Sequence, residues 1–216
     1  MNYIKKFRKL ILYAGVNKEE YTMLLPEIRK ENEVLLKLFS LLAAPIFFIL
    51  AIVSITSGGF ATVNSPTYLI SGIIMLLVFL CAKFIVPKHP KFTMLLIYIF
   101  EIVLYAFGIY ISMLHADKPA VSAVAFLLVS PLLFYDRPVR LSALLAAVIA
   151  VFCTMVLYFK QPSVAETDVW NMITFGIVAI AANDLVTRQL IHYIKVVSKE
   201  KLQIYFKDGT IIDADI

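Results

Sequence analysis

Asp117–Pro138, DKPAVSAVAFLLVSPLLFYDRP, holds 17 residues without a charge between Lys118 and Asp136. As a helix rising 1.5 Å per residue that run extends about 25 Å. It only just approaches the roughly 30 Å hydrocarbon core of a bilayer. Asp117 and Lys118 pin one end of the segment to a membrane face, and Asp136 and Arg137 pin the other. The remaining apolar runs are longer and are arranged around this short one.

Composition agrees with a membrane chain. Of the 216 residues, 61% are hydrophobic and 16% charged, against about 25% charged in soluble domains. The expected fold class is all-α: a polytopic membrane bundle of six transmembrane helices, with an N-terminal amphipathic helix and cytoplasmic termini. The spans are placed at about Leu38–Thr56, Thr67–Val86, Phe92–Leu114, the central short segment, Leu141–Phe159 and Val169–Val186. Residues 1–37 are read as interfacial helices, 38–186 as the membrane domain, and 187–216 as a cytoplasmic signalling helix with a short tail.

Within the first part, Ile4, Phe7, Ile11 and Ala14 recur at helical spacing among Lys5, Lys6, Arg8 and Lys9, the pattern of a helix lying on an anionic surface. Leu10–Val16 is too short for a signal peptide core, and no small-residue cleavage site follows. Asn17 with Glu20 reads as a capping box, and Pro26 as a helix restart. Thr187–Lys201 is expected to continue the last span as a helix, and YFKDGTIIDADI to form a turn between two short strands.

Lysine and arginine placement orients the bundle. Eighteen of the 20 basic residues fall in the N-terminal segment, the connections after spans two and four, and the tail; only Lys118 and Lys160 fall on the opposite side. The net charge of +5 is thus distributed between spans rather than on one soluble face, which argues against nucleic acid as a partner. Cys81 and Cys153 lie at different depths, and two cysteines make no disulfide framework. The alanines Ala143, Ala146, Ala147 and Ala150 place small residues along the fifth span, a pattern suited to close helix packing.

Few residues can carry chemistry. Glu101 sits near the middle of the third span, where an ionisable group is costly and marks a functional position; it could carry a proton, bind a cation or hold a cationic ligand, or be a protonated acid bonded to a neighbouring helix. His115, Asp117, Lys118, Glu166, Asp168, Trp170 and Asn171 gather where spans four and six begin, the best place for an external small-molecule ligand, although Trp170 alone is an ordinary interface anchor. Asn183, Asp184 and Arg188 near the inner end of span six form a candidate hinge for signal transmission, or an ordinary end-of-helix pair at i, i+4. No phosphate-cradling glycine loop, zinc-spaced His/Cys set or nucleophile elbow occurs, so no metal, cofactor or catalytic residue is expected.

Three stretches, LLPEIRKENEVLLKLFSLLAA at 24–44, the central segment at 117–138 and DVWNMITFGIVAIAA at 168–182, resemble the N-terminal six-span membrane region of GGDEF-type diguanylate cyclases from Firmicutes. The resemblance covers roughly residues 20–200. It implies a bacterial cytoplasmic-membrane sensor whose last helix feeds a cytoplasmic cyclic di-GMP output. No GGDEF or GGEEF motif is present, so no catalytic residue is carried over and no cyclase activity is expected of this chain alone. The expectation is a non-catalytic sensory module, dimeric in the bilayer, acting on a cytoplasmic catalytic domain or partner through its C-terminal helix. Two other classes stay open: a small transporter or proton- or cation-coupled carrier using Glu101, and a structural membrane subunit of a complex.

Overall fold

The computed structural model describes residues 18–56, 64–189, 191–198, 201–206 and 211–215. The expected surface helix at Ile4–Ala14 lies outside them. Six helices follow in order: α1 (Lys18–Thr56), α2 (Ser65–Phe84), α3 (Thr93–Met113, entered through a 3-10 turn at Pro90–Phe92), α4 (Val121–Leu133), α5 (Pro138–Phe159) and α6 (Pro162–Gln189). Five are long and apolar enough to cross a bilayer, and α4 is a shorter apolar helix. Their outer surfaces carry large apolar side chains, among them Ile55 at 62%, Leu157 at 71% and Ile177 at 66% exposure. A surface of that kind is built for lipid contact rather than for water. The chain is a multi-pass helical membrane protein.

One expectation about α1 changes. Pro26 does not restart the helix, since both Pro26 and Pro45 lie inside one continuous element; a proline forfeits one backbone bond, and the remaining turns carry the helix through. The uncharged run of α1 lies over residues 38–56, after the charged residues Glu27, Arg29, Lys30, Glu31, Glu33 and Lys37 of the same helix.

Helix α3 is the hub. Through Leu96, Ile97, Phe100, Leu104 and Phe107 it joins α1 and α2 in one core with Leu36, Phe47 and Met75. Its second half joins α4, α5 and α6 in another, around Tyr105, Leu127, Leu145 and Met172. α4 packs between α3 and α6, and α5 closes against α6. Gly108 permits the close approach of α3 to α4: a Cβ there would stand 2.7 Å from Phe126 Cδ2 and 3.2 Å from the Ser122 carbonyl oxygen.

The central segment is helical over only 13 residues, about 20 Å. It nevertheless runs the length of α3. The Ala123 N–H donates to Ser112 Oγ near the end of α3 (3.0 Å), while the Tyr98 hydroxyl near its start donates to Asp136 Oδ2 (2.6 Å). Extended backbone at Phe134 and Arg137 makes up the missing length, since an extended residue advances more than twice as far as a helical one.

Two further corrections concern packing and the tail. Ala143, Ala146, Ala147 and Ala150 are all exposed, and α5 packs inward through Leu141, Leu145, Phe152 and Val156 instead. The helix expected over Thr187–Lys201 ends at Gln189, and the chain continues as an antiparallel three-stranded sheet, β1 (Ile191–Ser198), β2 (Lys201–Phe206) and β3 (Ile211–Asp215). Ile191, Tyr193, Ile194, Val196 and Val197 are β-branched or aromatic, the residue types strands favour, and β1 pairs with β2 through Lys195 opposite Gln203. β2 and β3 supply the two short strands expected in YFKDGTIIDADI, with Tyr205 opposite Ile211, and residues 207–210 between them lie outside the described residues.

Candidate functional site

Three groups of polar side chains stand out inside this bundle, one at each end and one between. At the Lys118 end, the α3–α4 loop is stitched to the α5–α6 corner. α5 stops at Phe159, and extended backbone at Lys160 turns the chain toward Pro162, which opens α6. That turn buries Lys160 against the second turn of α6: Lys160 Nζ lies 3.1 Å from Asp168 Oδ2, with side-chain exposures of 0% and 1%. Lys160 Nζ also donates to the Lys118 carbonyl oxygen. The Ala120 N–H donates to Asp168 Oδ1 at 2.9 Å, and the Gln161 N–H to the Ala116 carbonyl at 3.1 Å. The buried cation and anion thus each hold a backbone group of the facing loop, the extra hydrogen bonding a buried pair requires to offset its desolvation.

The residues foreseen at this end meet only in part. Asp168 is inside the lock. Asp117, Lys118, Glu166 and Trp170 are exposed around it, and His115 and Asn171 are half-buried. Lys160, whose charge completes the lock, was read only as an outer-face marker.

Midway along α3, Tyr98, Glu101 and Tyr105 are spaced three and four apart and so share one helix face. Glu101 and Tyr105 are buried, as is Ser130 on α4, and Ser130 faces both. The Ser130 and Tyr105 hydroxyls are fully shielded without a well-formed hydrogen bond among the described residues. Glu101, the intramembrane carboxyl foreseen from the sequence, therefore has two hydroxyl neighbours that no local pattern announced.

At the Arg137 end, Asn32 of α1 lies fully buried and clamps the end of α4. Its Nδ2 donates to the Tyr135 carbonyl (2.7 Å), and its Oδ1 accepts from the Tyr135 N–H (2.8 Å). Next to it Asp136 accepts from the Tyr98 hydroxyl and, at 2.6 Å, from the Arg137 N–H. Burial pushes the Asp136 carboxyl above its ordinary range, against the hydrogen bonds from Tyr98 and Arg137 N–H and the charges of Arg140 and Arg137. A cavity of about 80 Å³ opens beside it, with Arg29, Arg137 and Arg140 on its walls.

Asn183, Asp184 and Arg188 belong to the last two turns of α6; their side chains lie outside the described residues. Cys81 and Cys153 are free and half-buried. Among the described residues no group of three His, Cys, Asp or Glu is placed to hold a metal. Comparison with known protein families, with curated proteins and with solved structures finds no match.

Proposed function

We propose that this chain is a non-catalytic membrane sensor module in which α6 is the moving part. The observation that carries the proposal is the continuity of α6: 28 residues from Pro162 to Gln189, about 42 Å of helix. It begins beside the buried Lys160–Asp168 lock and ends two residues before β1. A helix of that length without an internal proline transmits a shift at one end to the other. A ligand engaging His115, Asp117, Lys118, Trp170 or Asn171 around the lock would move the base of α6, and Asn183, Asp184 and Arg188 would pass that motion to the tail. The fuller proposal has six crossings in a bacterial cytoplasmic membrane, with both termini on the arginine- and lysine-rich cytoplasmic side. Its partners are the bilayer, a second copy of the chain, and a cytoplasmic catalytic domain or partner. Cyclic di-GMP signalling enters it through the resemblance of the three stretches named above.

The test is amide exchange of residues 191–215 in lipid nanodiscs. Opening the lock with Asp168→Ala, which removes the partner of Lys160 and the acceptor of Ala120 N–H, is expected to change exchange across β1–β3, and adding Ala181→Pro in α6 to cancel that change. Tail exchange that ignores the state of the lock would sink the lever.

A second reading, a proton- or cation-coupled carrier, is favoured by the Glu101–Tyr105–Ser130 group, because buried hydroxyls beside a carboxyl are the parts of a proton relay. Proteoliposomes carrying the wild-type chain should then acidify or leak under an imposed proton gradient, and Glu101→Gln should reduce that flux at least about tenfold, the scale of losing an acid–base group. Equal flux in the two rejects the carrier.

A further inference from the structure

The cavity at the Arg137 end has a composition that the lever does not use. Arg29 comes from α1, Arg137 from the α4–α5 corner and Arg140 from the first turn of α5, and all three border one small space. The single carboxylate on its wall, Asp136, accepts from the Tyr98 hydroxyl and the Arg137 N–H and also faces the charges of Arg140 and Arg137. Among the residues that line the cavity, one carboxylate does not neutralise Arg29 and Arg140 together, so these two exposed cations leave positive charge over at its mouth. The α5 N-terminus adds the positive end of a helix dipole on the same side. Leu25, Ile28 and Met94 complete the wall with apolar surface, so the space offers an anion site joined to a greasy one.

The surface below the cavity points to the same occupant. On α5, Ala143, Ala147 and Val151 follow Arg140 at offsets of 3, 7 and 11 residues, within about 60° of the same helix face. All three are exposed. They form a shallow apolar strip running from the arginines into the hydrocarbon depth, wide enough for an acyl chain because its first residues are small. Basic pockets between helices at a membrane surface are where anionic headgroups bind, and bidentate guanidinium groups suit a phosphate.

We infer that this cavity binds the phosphate of an anionic glycerophospholipid, with one acyl chain lying along Ala143, Ala147 and Val151. The inference needs only that this rim lies at a membrane surface and stands or falls apart from the lever.

The test is native mass spectrometry of the full chain released from nanodiscs containing phosphatidylglycerol and phosphatidylcholine, with lipid titration for affinity. The expected result is one retained phosphatidylglycerol per chain in preference to phosphatidylcholine. Arg29→Gln with Arg140→Gln, both exposed positions, should weaken it about 30-fold, from the surface attraction per basic residue. Arg29→Gln alone should weaken it about fivefold by the same measure, which keeps the test open if the double variant folds poorly. Ala147→Trp, which fills the strip, should weaken the lipid too, and millimolar inorganic phosphate should fail to displace it. Equal retention of the two lipids, or affinity untouched by the arginine variants, overturns the site. Displacement by inorganic phosphate, or indifference to Ala147→Trp, overturns the lipid as its occupant.

Discussion

Replacing Asp168 by alanine is expected to destabilise the bundle by about 3–5 kcal/mol, the scale for removing one partner of a buried ion pair. The size follows from what stays behind. Lys160 is fully buried and its ammonium would face only the Lys118 carbonyl, while the Ala120 N–H would lose its acceptor. Coulomb attraction at 3.1 Å is not the source of the loss, because desolvation of the two charges offsets most of it. Lys160→Met with Asp168→Asn is therefore expected to recover stability to within about 1 kcal/mol, since the asparagine retains an acceptor for Ala120 and no charge is buried. Denaturant unfolding of the detergent-solubilised chain measures both. A single Asp168→Ala that unfolds like the wild type would mean that water reaches Lys160 and that the lock is open.

Asn32→Ala is expected to cost about 2–4 kcal/mol and to loosen the end of α4. Asn32 satisfies both backbone groups of Tyr135 at once, and each buried group left without a partner costs roughly 1–3 kcal/mol; Tyr135 is only partly buried, which keeps the sum below the maximum. Asn32→Asp should be no better, because its second oxygen would face the Tyr135 carbonyl where Nδ2 now donates. The specific readout is amide exchange at Tyr135, expected to rise at least about tenfold in Asn32→Ala while exchange in α2 stays unchanged. Unchanged exchange at Tyr135 would show that the α4–α5 corner is held by Tyr98 and Asp136 instead. The two substitutions act at opposite ends of α4, so their effects should add.

These two anchors also show how far the amino-acid sequence reaches. Membrane spans are legible because the bilayer imposes a length on each apolar run, and that demand is local: Thr56, Phe159 and the shortness of the central segment could all be read from the chain. The weak points were also local patterns with two solutions. Ile191, Ile194 and Val197 fit a helical stripe, yet these β-branched residues, with Tyr193 and Val196 between them, fit a strand as well, and the partner strand at Lys201–Phe206 decides the matter. The alanines of α5 suit a tight helix contact or an open strip equally, and only the rotation of α5, set by Leu145 and Phe152 in the core, turns them outward.

The candidate site divides in the same way. That Glu101 is a costly carboxyl in mid-span, and that Asp117, Lys118 and Asp168 share one end of the bundle with Lys160, follows from position along the chain. That Asp168 is consumed by Lys160 while Asp117 stays open does not, nor does the clamp between Asn32 and Tyr135, 103 residues apart. Those pairings depend on how six helices rotate and settle against one another. The apolar pattern determines which segments enter the membrane; close packing around α3 determines which polar groups find partners there, because a buried polar group is tolerated only where the fold brings it one.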